Sequence, residues 1–148
     1  MLQSMGEELV EQPLPEGELQ AKVDLRRLSP LPLIADESVH RATDSPQLAR
    51  GFDGINIKLL KCGGIGEALR LIAAARAHNM QIMLGCMVET SLAITAAAHL
   101  SPLVDFADLD GNLLVDNDPF IGATIEGGRL VLPAEPGLGV RACQPDIN

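Results

Sequence analysis

Hydrophobic and polar residues alternate along this chain with two different periods, which predict strands and helices in turn. Within GINIKLL, at 54–60, the residues Ile55, Ile57 and Leu59 recur at every second position and therefore share one face of a strand. From Ile65 onward, apolar residues recur at i, i+3, i+4, i+7 and i+8, the spacing of one stripe along a helix. A chain that switches between these periods is typical of an α/β protein.

The same patterns continue through most of the chain, so that strands alternate with helices. The predicted strands are 8–11, 31–35, 54–60, 80–84 and 103–107, and the predicted helices are 17–28, one that begins near residue 65, and 89–100. After Asn112 the pattern changes to short pieces, with Gly127 and Gly128 between two strand-like segments, 123–125 and 129–132. We therefore predict an α/β fold of about five parallel strands, followed by a hairpin and a tail rich in proline and glycine.

Composition excludes several classes of function. The 148 residues are 47% hydrophobic and 21% charged, which is enough apolar material for one globular domain. The net charge of −9 and the three aromatic residues disfavour a surface for nucleic acid or an anionic membrane. No apolar run approaches the roughly 20 residues of a membrane span. The cysteines, Cys62, Cys86 and Cys143, lack close metal-ligand spacing, so we expect reduced thiols and a cytoplasmic protein.

Each predicted strand is followed by a residue that can carry chemistry. Glu11, Asp36, Lys58, the pair Gly85–Cys86 and Asp108 stand at the carboxyl ends of the five strands, about 22 to 28 positions apart. A (β/α) barrel builds its active site at this end of its strands. A lysine in an edge strand that discourages pairing with other chains is the alternative for Lys58. In a barrel, by contrast, Lys58 would project into the mouth beside the carboxylates.

Two carboxylates and an inward lysine suit a particular chemistry. Carboxylate oxygens are hard ligands for Mg²⁺, which leaves other positions to water or substrate. A metal at Glu11 and Asp36 could bind a substrate carboxylate and stabilise the enolate formed when a base removes the α-proton. Lys58 is the candidate base. Its pKa must fall for that task, and burial and a divalent cation both favour such a fall.

Five motifs, taken in order and spacing, resemble the carboxyl-terminal barrel of the enolase superfamily. They are VEQP at 10–13, ADES at 35–38, NIKLLKCGGI at 56–65, GCMVET at 85–90 and DLDG at 108–111. The chain resembles the muconate-lactonising subgroup, and within it the dipeptide epimerases of the L-Ala-D/L-Glu type. The similarity runs from about Glu8 to Gly139. It implies a partial TIM-type barrel, with 1–148 as the carboxyl-terminal part of the barrel domain and no capping domain.

The resemblance implies a role for three of the strand-end residues. Glu11, in the EQP motif, matches the second Mg²⁺ ligand of the family, and Asp36 matches the third. Lys58 matches the acid/base lysine on one face of the substrate α-carbon. The implied cofactor is Mg²⁺, and the implied reaction is inversion of an α-carbon by removal and return of its proton.

The resemblance also implies a substrate pocket. Asp108 and Asp110 match the DxD pair that holds the α-ammonium group of a dipeptide, for which two carboxylates form charge-assisted hydrogen bonds. Cys86 and Met87, in the GCMVET motif after the fourth predicted strand, are further candidates for the substrate pocket. For Cys86, a small buried thiol is the alternative.

Members of this family carry further elements before the matched region. These are a capping domain, a strand with a Lys-x-Lys motif and a strand with the first metal-ligand aspartate. We therefore expect this chain to be inactive alone, and to self-associate or to pair with the missing amino-terminal part, because five strands cannot close a barrel. Two alternatives stay open. One is a cycloisomerase or o-succinylbenzoate synthase, and the other is an inert product of a truncated or split gene that acts as a binding module.

Several features also have simpler interpretations. Asp108–Gly111 fits an Asp-Gly turn that closes a strand, and Gly63–Gly64 fits a plain strand-to-helix turn as well as a phosphate cradle. Lys61 is expected beyond the strand, in a loop, as a charge on the rim. The three histidines, His40, His78 and His99, are expected in helices away from the strand ends. The strand that ends at Leu84 carries no histidine, which disfavours the mandelate-racemase-like subgroup.

Overall fold

A five-stranded parallel sheet forms the centre of the computed structural model, which describes residues 2–143. Its strands are β1 Val10–Glu11, β2 Leu33–Ala35, β3 Gly54–Ile57, β4 Gln81–Leu84 and β5 Phe106–Ala107. The order in the sheet is the order in the chain, and every neighbouring pair is parallel. The sheet curls into a half-barrel. The prediction of a partial (β/α) barrel is confirmed.

Helices connect the strands. They are α1 Leu19–Leu28, α2 Ser45–Gly51, α3 Leu59–Cys62, α4 Ile65–Ala77 and α5 Ser91–Ala98, with 3₁₀ turns at Gln3–Met5, Ala42–Asp44, Ser101–Leu103 and Gly111–Leu114. The three predicted helices are confirmed: α1 and α5 are shorter than predicted, and α4 begins at Ile65 as predicted. No bounds were predicted for α2 and α3. His78 and His99 cap the carboxyl ends of α4 and α5, but His40 lies outside any helix, contrary to the prediction.

The third strand is shorter than predicted. It ends at Ile57, and Lys58 is the residue that precedes α3. Gly63 ends this single helical turn with φ +92°, a left-handed conformation that favours glycine. The predicted strand 54–60 was therefore too long, because a local turn closed by glycine overrides the period-two pattern. Lys58 lies just beyond the strand rather than inside it.

The hydrophobic core lies between the helices and one face of the sheet. Ile55 and Ile57 of β3 are fully buried there with Leu71 and Ala75 of α4. Burial of such side chains contributes roughly 1.5–3 kcal/mol each. The opposite face turns toward the inside of the half-barrel. Because the packing on the first face fixes the register, every second residue of each strand, up to its carboxyl end, points into the half-barrel.

Asp53 braces the amino end of the sheet, immediately before β3. Its Oδ1 accepts a hydrogen bond from Nε of Arg26 at 2.9 Å, and its Oδ2 accepts one from the backbone N–H of Leu33 at 3.0 Å. Arg26 also donates to the carbonyl of Ala49 at 2.6 Å. One carboxylate thus joins α1, β2 and β3.

Asp105, immediately before β5, repeats this arrangement. Its Oδ2 accepts a hydrogen bond from Arg76 of α4 at 2.7 Å and another from the backbone N–H of Ile82 at 2.7 Å. Arg76 uses its second terminal nitrogen on Oδ1 at 3.1 Å. We call the two arrangements, Asp53 with Arg26 and Asp105 with Arg76, the Asp–Arg clamps.

Short antiparallel ribbons follow the sheet. Their strands are β6 Phe120–Ile121, β7 Thr124–Glu126, β8 Arg129–Val131 and β9 Arg141–Ala142. The pairing of β7 with β8 confirms the predicted hairpin, and the pairing of β6 with β9 was not predicted. Among residues 2–143, every helix is too short or too polar to cross a membrane.

Candidate functional site

Three side chains from adjacent strands meet at the carboxyl end of the sheet. Glu11 is the last residue of β1, Asp36 follows β2 and Lys58 follows β3. Nζ of Lys58 donates to Oδ2 of Asp36 at 2.7 Å and lies 3.9 Å from Oε1 of Glu11. The side chains of Lys58 and Asp36 are 16% and 12% exposed, so this ion pair is largely shielded from water. The structure thus brings together the three residues that the sequence singled out at these strands.

A second lysine joins this group. Nζ of Lys61 donates to both Oδ1 and the backbone carbonyl of Asp36. Lys61 lies in α3, three positions after Lys58, so one helical turn brings the two lysines to the same side. The prediction that Lys61 lies in a loop as a rim charge was wrong, since its side chain is only 17% exposed.

Asn56 of β3 holds one carboxylate of this group through a hydrogen bond. Its Nδ2 donates to Oε1 of Glu11 at 2.5 Å, and the residue is 1% exposed. A Cβ at Gly85 would lie 2.6 Å from both polar atoms of the Asn56 amide, so only glycine leaves room for it. Sequence reasoning assigned no role to Asn56. The sequence feature that could have identified Asn56 is its position two residues before Lys58, on the same face of the strand.

The charges of this group shift two pKa values. Burial raises the pKa of Asp36, but hydrogen bonds from Lys58 and Lys61 outweigh it and hold that pKa below its usual value. Burial lowers the pKa of Lys58, but the hydrogen bond to Asp36 and the charges of Asp36, Glu11 and Glu37 raise it above its usual value. In this arrangement Lys58 is an ammonium ion. The fall in its pKa that proton removal requires is absent here, because the neighbouring carboxylates hold the proton.

The loops after β4 and β5 form a second group. Cys86 and Met87 follow β4, and a Cβ at Gly111 would lie 2.0 Å from the carbonyl oxygen of Met87 and 3.1 Å from Sγ of Cys86. Glu89 is buried beside them, and its Oε1 accepts the backbone N–H of Met87 at 2.7 Å. Burial raises the pKa of the Cys86 thiol, which keeps it protonated and small.

Asp108 and Asp110 are exposed residues of this second group, on either side of the buried Leu109. Their negative charges contribute to the raised pKa of Cys86, which indicates that they lie close to it. Within residues 2–143, no hydrogen bond or ion pair joins either aspartate to Lys58. Both aspartates line a groove of about 630 Å³, whose other walls are mostly apolar residues from the end of α5, the Ser101–Leu103 and Gly111–Leu114 turns and the β7–β8 hairpin.

The carboxylate oxygens at the strand ends are of the type that Mg²⁺ prefers, but there are too few of them to hold the ion. Glu11 and Asp36 offer hard carboxylate oxygens around one position that a cationic ammonium already shares. In the part of the chain that the structure describes, no three His, Cys, Asp or Glu side chains form a set of metal ligands. A cation at this position would need further oxygen ligands.

Residues 1–146 match the family model described as Enolase C-terminal domain-like. The chain belongs to this family. The match confirms the enolase-superfamily resemblance that the five sequence motifs indicated, and it agrees with the half-barrel and the position of its charged groups.

Similar proteins of this enolase family are epimerases. The chain is 48% identical over 139 residues to an L-Ala-D/L-Glu epimerase from Bacteroides thetaiotaomicron, which covers 94% of this chain and 36% of that protein. It is 44% identical over 126 residues to an L-Ala-D/L-Glu epimerase from Escherichia coli, 84% of this chain and 39% of that protein. The chain thus spans well under half the length of these relatives.

Solved structures of epimerases have the same fold as this chain. A substrate-liganded L-Ala-D/L-Glu epimerase from Bacillus subtilis superposes with a TM-score of 0.87 at 36% identity, covering 95% of this chain and 42% of that one. A dipeptide epimerase from Cytophaga hutchinsonii, complexed with Mg and D-Ala-L-Val, gives a TM-score of 0.89 at 29% identity, over 99% of this chain and 41% of that one.

Proposed function

We propose that this chain supplies the Lys58 side of a dipeptide epimerase site, which inverts an α-carbon by removing and returning its proton. One observation carries the proposal: Lys58 is held between carboxylates from two neighbouring strands at the carboxyl end of the half-barrel. Relatives and solved structures with the same fold are epimerases of dipeptides.

Lys58 has two protonation states to use in such a reaction. As the ammonium ion that Asp36 favours, it can donate a proton to the α-carbon of the enolate. As the neutral amine, it can remove a proton from the epimer whose α-hydrogen lies on the Lys58 face. Inversion also needs a second acid/base group, which carries out the complementary proton step on the other face. Each turnover therefore leaves both groups in the other protonation state, and exchange of protons with water restores them.

The proposed cofactor is Mg²⁺, with Glu11 and Asp36 as its ligands in this chain. When bound, Mg²⁺ would supply positive charge that stabilises the enolate and that also lowers the affinity of Lys58 for its proton. Asn56 holds the Glu11 carboxylate in place for this role.

The proposed substrate is a dipeptide of the L-Ala-D/L-Glu type. Asp108 and Asp110 would receive its α-ammonium group. Both carboxylates are exposed and have no hydrogen bond or ion pair among residues 2–143, so each can accept a charge-assisted hydrogen bond. Cys86 and Met87 would line the same pocket as an uncharged wall, because the Cys86 thiol is protonated.

The test is complementation. The 148-residue chain is mixed with the part of the Bacteroides thetaiotaomicron relative that precedes the matched region, and L-Ala-L-Glu is followed in D₂O by proton NMR and polarimetry. We expect exchange of the α-proton and inversion in the mixture. With the chain alone we expect neither, because inversion needs an acid/base group on the second face, and enolate formation needs a cation for which residues 2–143 supply too few ligands.

The control is the mixture with Arg27→Ala, which removes an exposed cation far from Lys58 and should leave exchange unchanged. Rapid turnover by the chain alone would contradict the assignment of its acid/base groups. Failure of a folded, assembled mixture to exchange the α-proton would contradict the proposed reaction.

A further inference from the structure

Gln12, the residue after Glu11, connects the ends of β1 and β2 through both polar atoms of its side chain. Its Oε1 accepts the backbone N–H of Asp36 at 2.9 Å, and its Nε2 donates to the hydroxyl of Ser38 at 3.0 Å. The same Nε2 donates to the carbonyl of Leu14 at 2.8 Å. The amide is therefore fixed by three hydrogen bonds, two of them to the segment that carries Asp36.

The backbone of Gln12 is held in an uncommon conformation. Its φ is +34°, in the left-handed region that residues other than glycine rarely adopt. Its own N–H donates to the carbonyl of Ile34 in β2 at 2.8 Å. Strained backbone of this kind persists only where its surroundings impose it, and it is concentrated at functional sites. Here the surroundings are the hydrogen bonds to the end of β2.

The far end of this array is anchored in α1. Ser38 accepts a further hydrogen bond, at 3.3 Å, from Nζ of Lys22, a residue that is 5% exposed. The ammonium of Lys22 lies 5.6 Å from the centre of the Phe52 ring, a favourable cation–π distance. Lys22 thus fixes Ser38, Ser38 fixes the amide of Gln12, and that amide fixes the backbone of Asp36.

We propose that Gln12 is a positioning residue that holds the carboxylates of Glu11 and Asp36 in register for a divalent cation. It adjoins Glu11 in the chain and bonds the backbone of Asp36, so a change in its hydrogen bonds alters the offset between the two carboxylates. This inference rests on the proposed function, because it concerns the metal ligands named there. Residues that orient ligands in this way typically contribute 10- to 100-fold to metal affinity.

The experiment measures binding of Mn²⁺, an oxygen-preferring substitute for Mg²⁺, by electron paramagnetic resonance. It uses the 148-residue chain mixed with the part of the Bacteroides thetaiotaomicron relative that precedes the matched region, which would supply the further ligands. Gln12→Met keeps the length of the side chain and removes its hydrogen bonds, and Ser38→Ala removes one acceptor of the Gln12 amide. The matched control is Gln20→Met, since Gln20 is exposed and, among residues 2–143, its side chain bonds only Asp24 on its own helix. Hydrogen exchange at the Asp36 amide and thermal unfolding are measured on each variant.

We expect Gln12→Met to raise the Kd for Mn²⁺ by about 10- to 100-fold and to speed exchange at the Asp36 amide. Ser38→Ala should act in the same direction with a smaller effect, and Gln20→Met should stay within about twofold. Equal Mn²⁺ affinity in Gln12→Met and the unsubstituted chain would overturn this inference alone, even if the variant unfolds more easily. Lack of Mn²⁺ binding by the assembled, unsubstituted mixture would contradict the proposed metal site, and this inference with it.

Discussion

Aspartate carboxylates form ion pairs at both ends of the sheet, but the cations at the two ends differ. At the amino end, the Asp–Arg clamps join Asp53 to Arg26 and Asp105 to Arg76. At the carboxyl end, Asp36 is joined to the lysines Lys58 and Lys61. Charge pairing by itself therefore does not identify a functional site in this fold, and the kind of cation has to be considered.

The difference lies in what each cation can do. Arginine stays protonated and presents a rigid fork, so it fixes the geometry of a carboxylate. Each clamp carboxylate also accepts a backbone N–H from the adjacent strand, which ties it into the sheet. Lysine can lose its proton when its surroundings change, and its single ammonium is easily redirected. The amino end is therefore suited to stability, and the carboxyl end to proton transfer.

The sharpest test of this comparison, and the largest expected effect, is Lys58→Ala in the complemented enzyme. We expect kcat for epimerisation of L-Ala-L-Glu to fall by roughly 10²- to 10⁴-fold, the usual contribution of a positioned acid/base group. Initial rates by polarimetry measure it. The free energy of unfolding should also fall, because Asp36 and Glu11 lose the ammonium group that offsets their charges.

The matched variant at the amino end is Arg76→Ala. It removes a cation from a carboxylate of the same type, and we expect kcat within about threefold of the unsubstituted enzyme once both are folded. If the two substitutions reduced kcat equally, the division between a stabilising end and a reactive end would be wrong.

A smaller effect is expected for Asp108→Asn, which removes one charge from the proposed ammonium site. Loss of a charge-assisted hydrogen bond typically costs about 1.5–3 kcal/mol, so KM for L-Ala-L-Glu should rise by roughly 10- to 100-fold. A dipeptide acetylated at its amino terminus is the control substrate, and its KM should not respond. A parallel rise for both substrates would argue against an ammonium site at Asp108.

The Asp–Arg clamps should contribute to the free energy of unfolding. Asp105→Ala leaves Arg76 and the backbone N–H of Ile82 without their acceptor, and we expect the free energy of unfolding to fall by about 1–2 kcal/mol. Urea unfolding followed by circular dichroism measures it. Asp116→Ala, at an exposed aspartate, is the control and should stay within about 0.5 kcal/mol. Equal stabilities for the two variants would exclude the clamp as a stabilising feature.

The smallest expected effect is a dependence of stability on acid pH. Hydrogen bonds from Arg76 hold the pKa of Asp105 below its usual value, and those from Lys58 and Lys61 do so for Asp36. Because the pKa is lower in the folded chain, the stabilisation is complete above the unfolded value, about 4, and is lost as the pH falls through the folded value. Urea midpoints from pH 6 to pH 2.5 should therefore decline below about pH 4. Asp105→Asn should show a shallower decline, and an unchanged slope would contradict the assignment.

Much of this arrangement was predictable from the sequence because it depends on local rules. Residues that follow successive parallel strands meet at one end of a sheet, so Glu11, Asp36 and Lys58 could be placed together from spacing alone. The clamps obey a similar rule, since Asp53 and Asp105 each precede a strand and pair with an arginine 27 or 29 positions earlier. That repeated spacing is visible in the sequence and could have predicted the clamps.

Other features depend on contacts that spacing does not reveal. The hydrogen bond between Asn56 and Glu11 joins residues 45 positions apart, across β2, and depends on the curl of the sheet. Lys61 was misplaced because the helical turn of α3 replaces the end of a strand whose alternation continues to Leu59. The roles of Cys86, Met87, Asp108 and Asp110 stay predictions.

The order of the strands has a consequence for synthesis on the ribosome. Each new strand adds to the edge formed by the one before it, so the sheet can grow in the direction in which the chain is made. Glu11 and Asp36 would then be paired side by side before Lys58 leaves the exit tunnel. During that interval their mutual repulsion has no ammonium to offset it, and arrival of β3 supplies the cation and the next edge together. Nascent chains whose part outside the tunnel ends just before Gly54 should therefore be protected from protease less well than chains whose part outside the tunnel extends past Gly64.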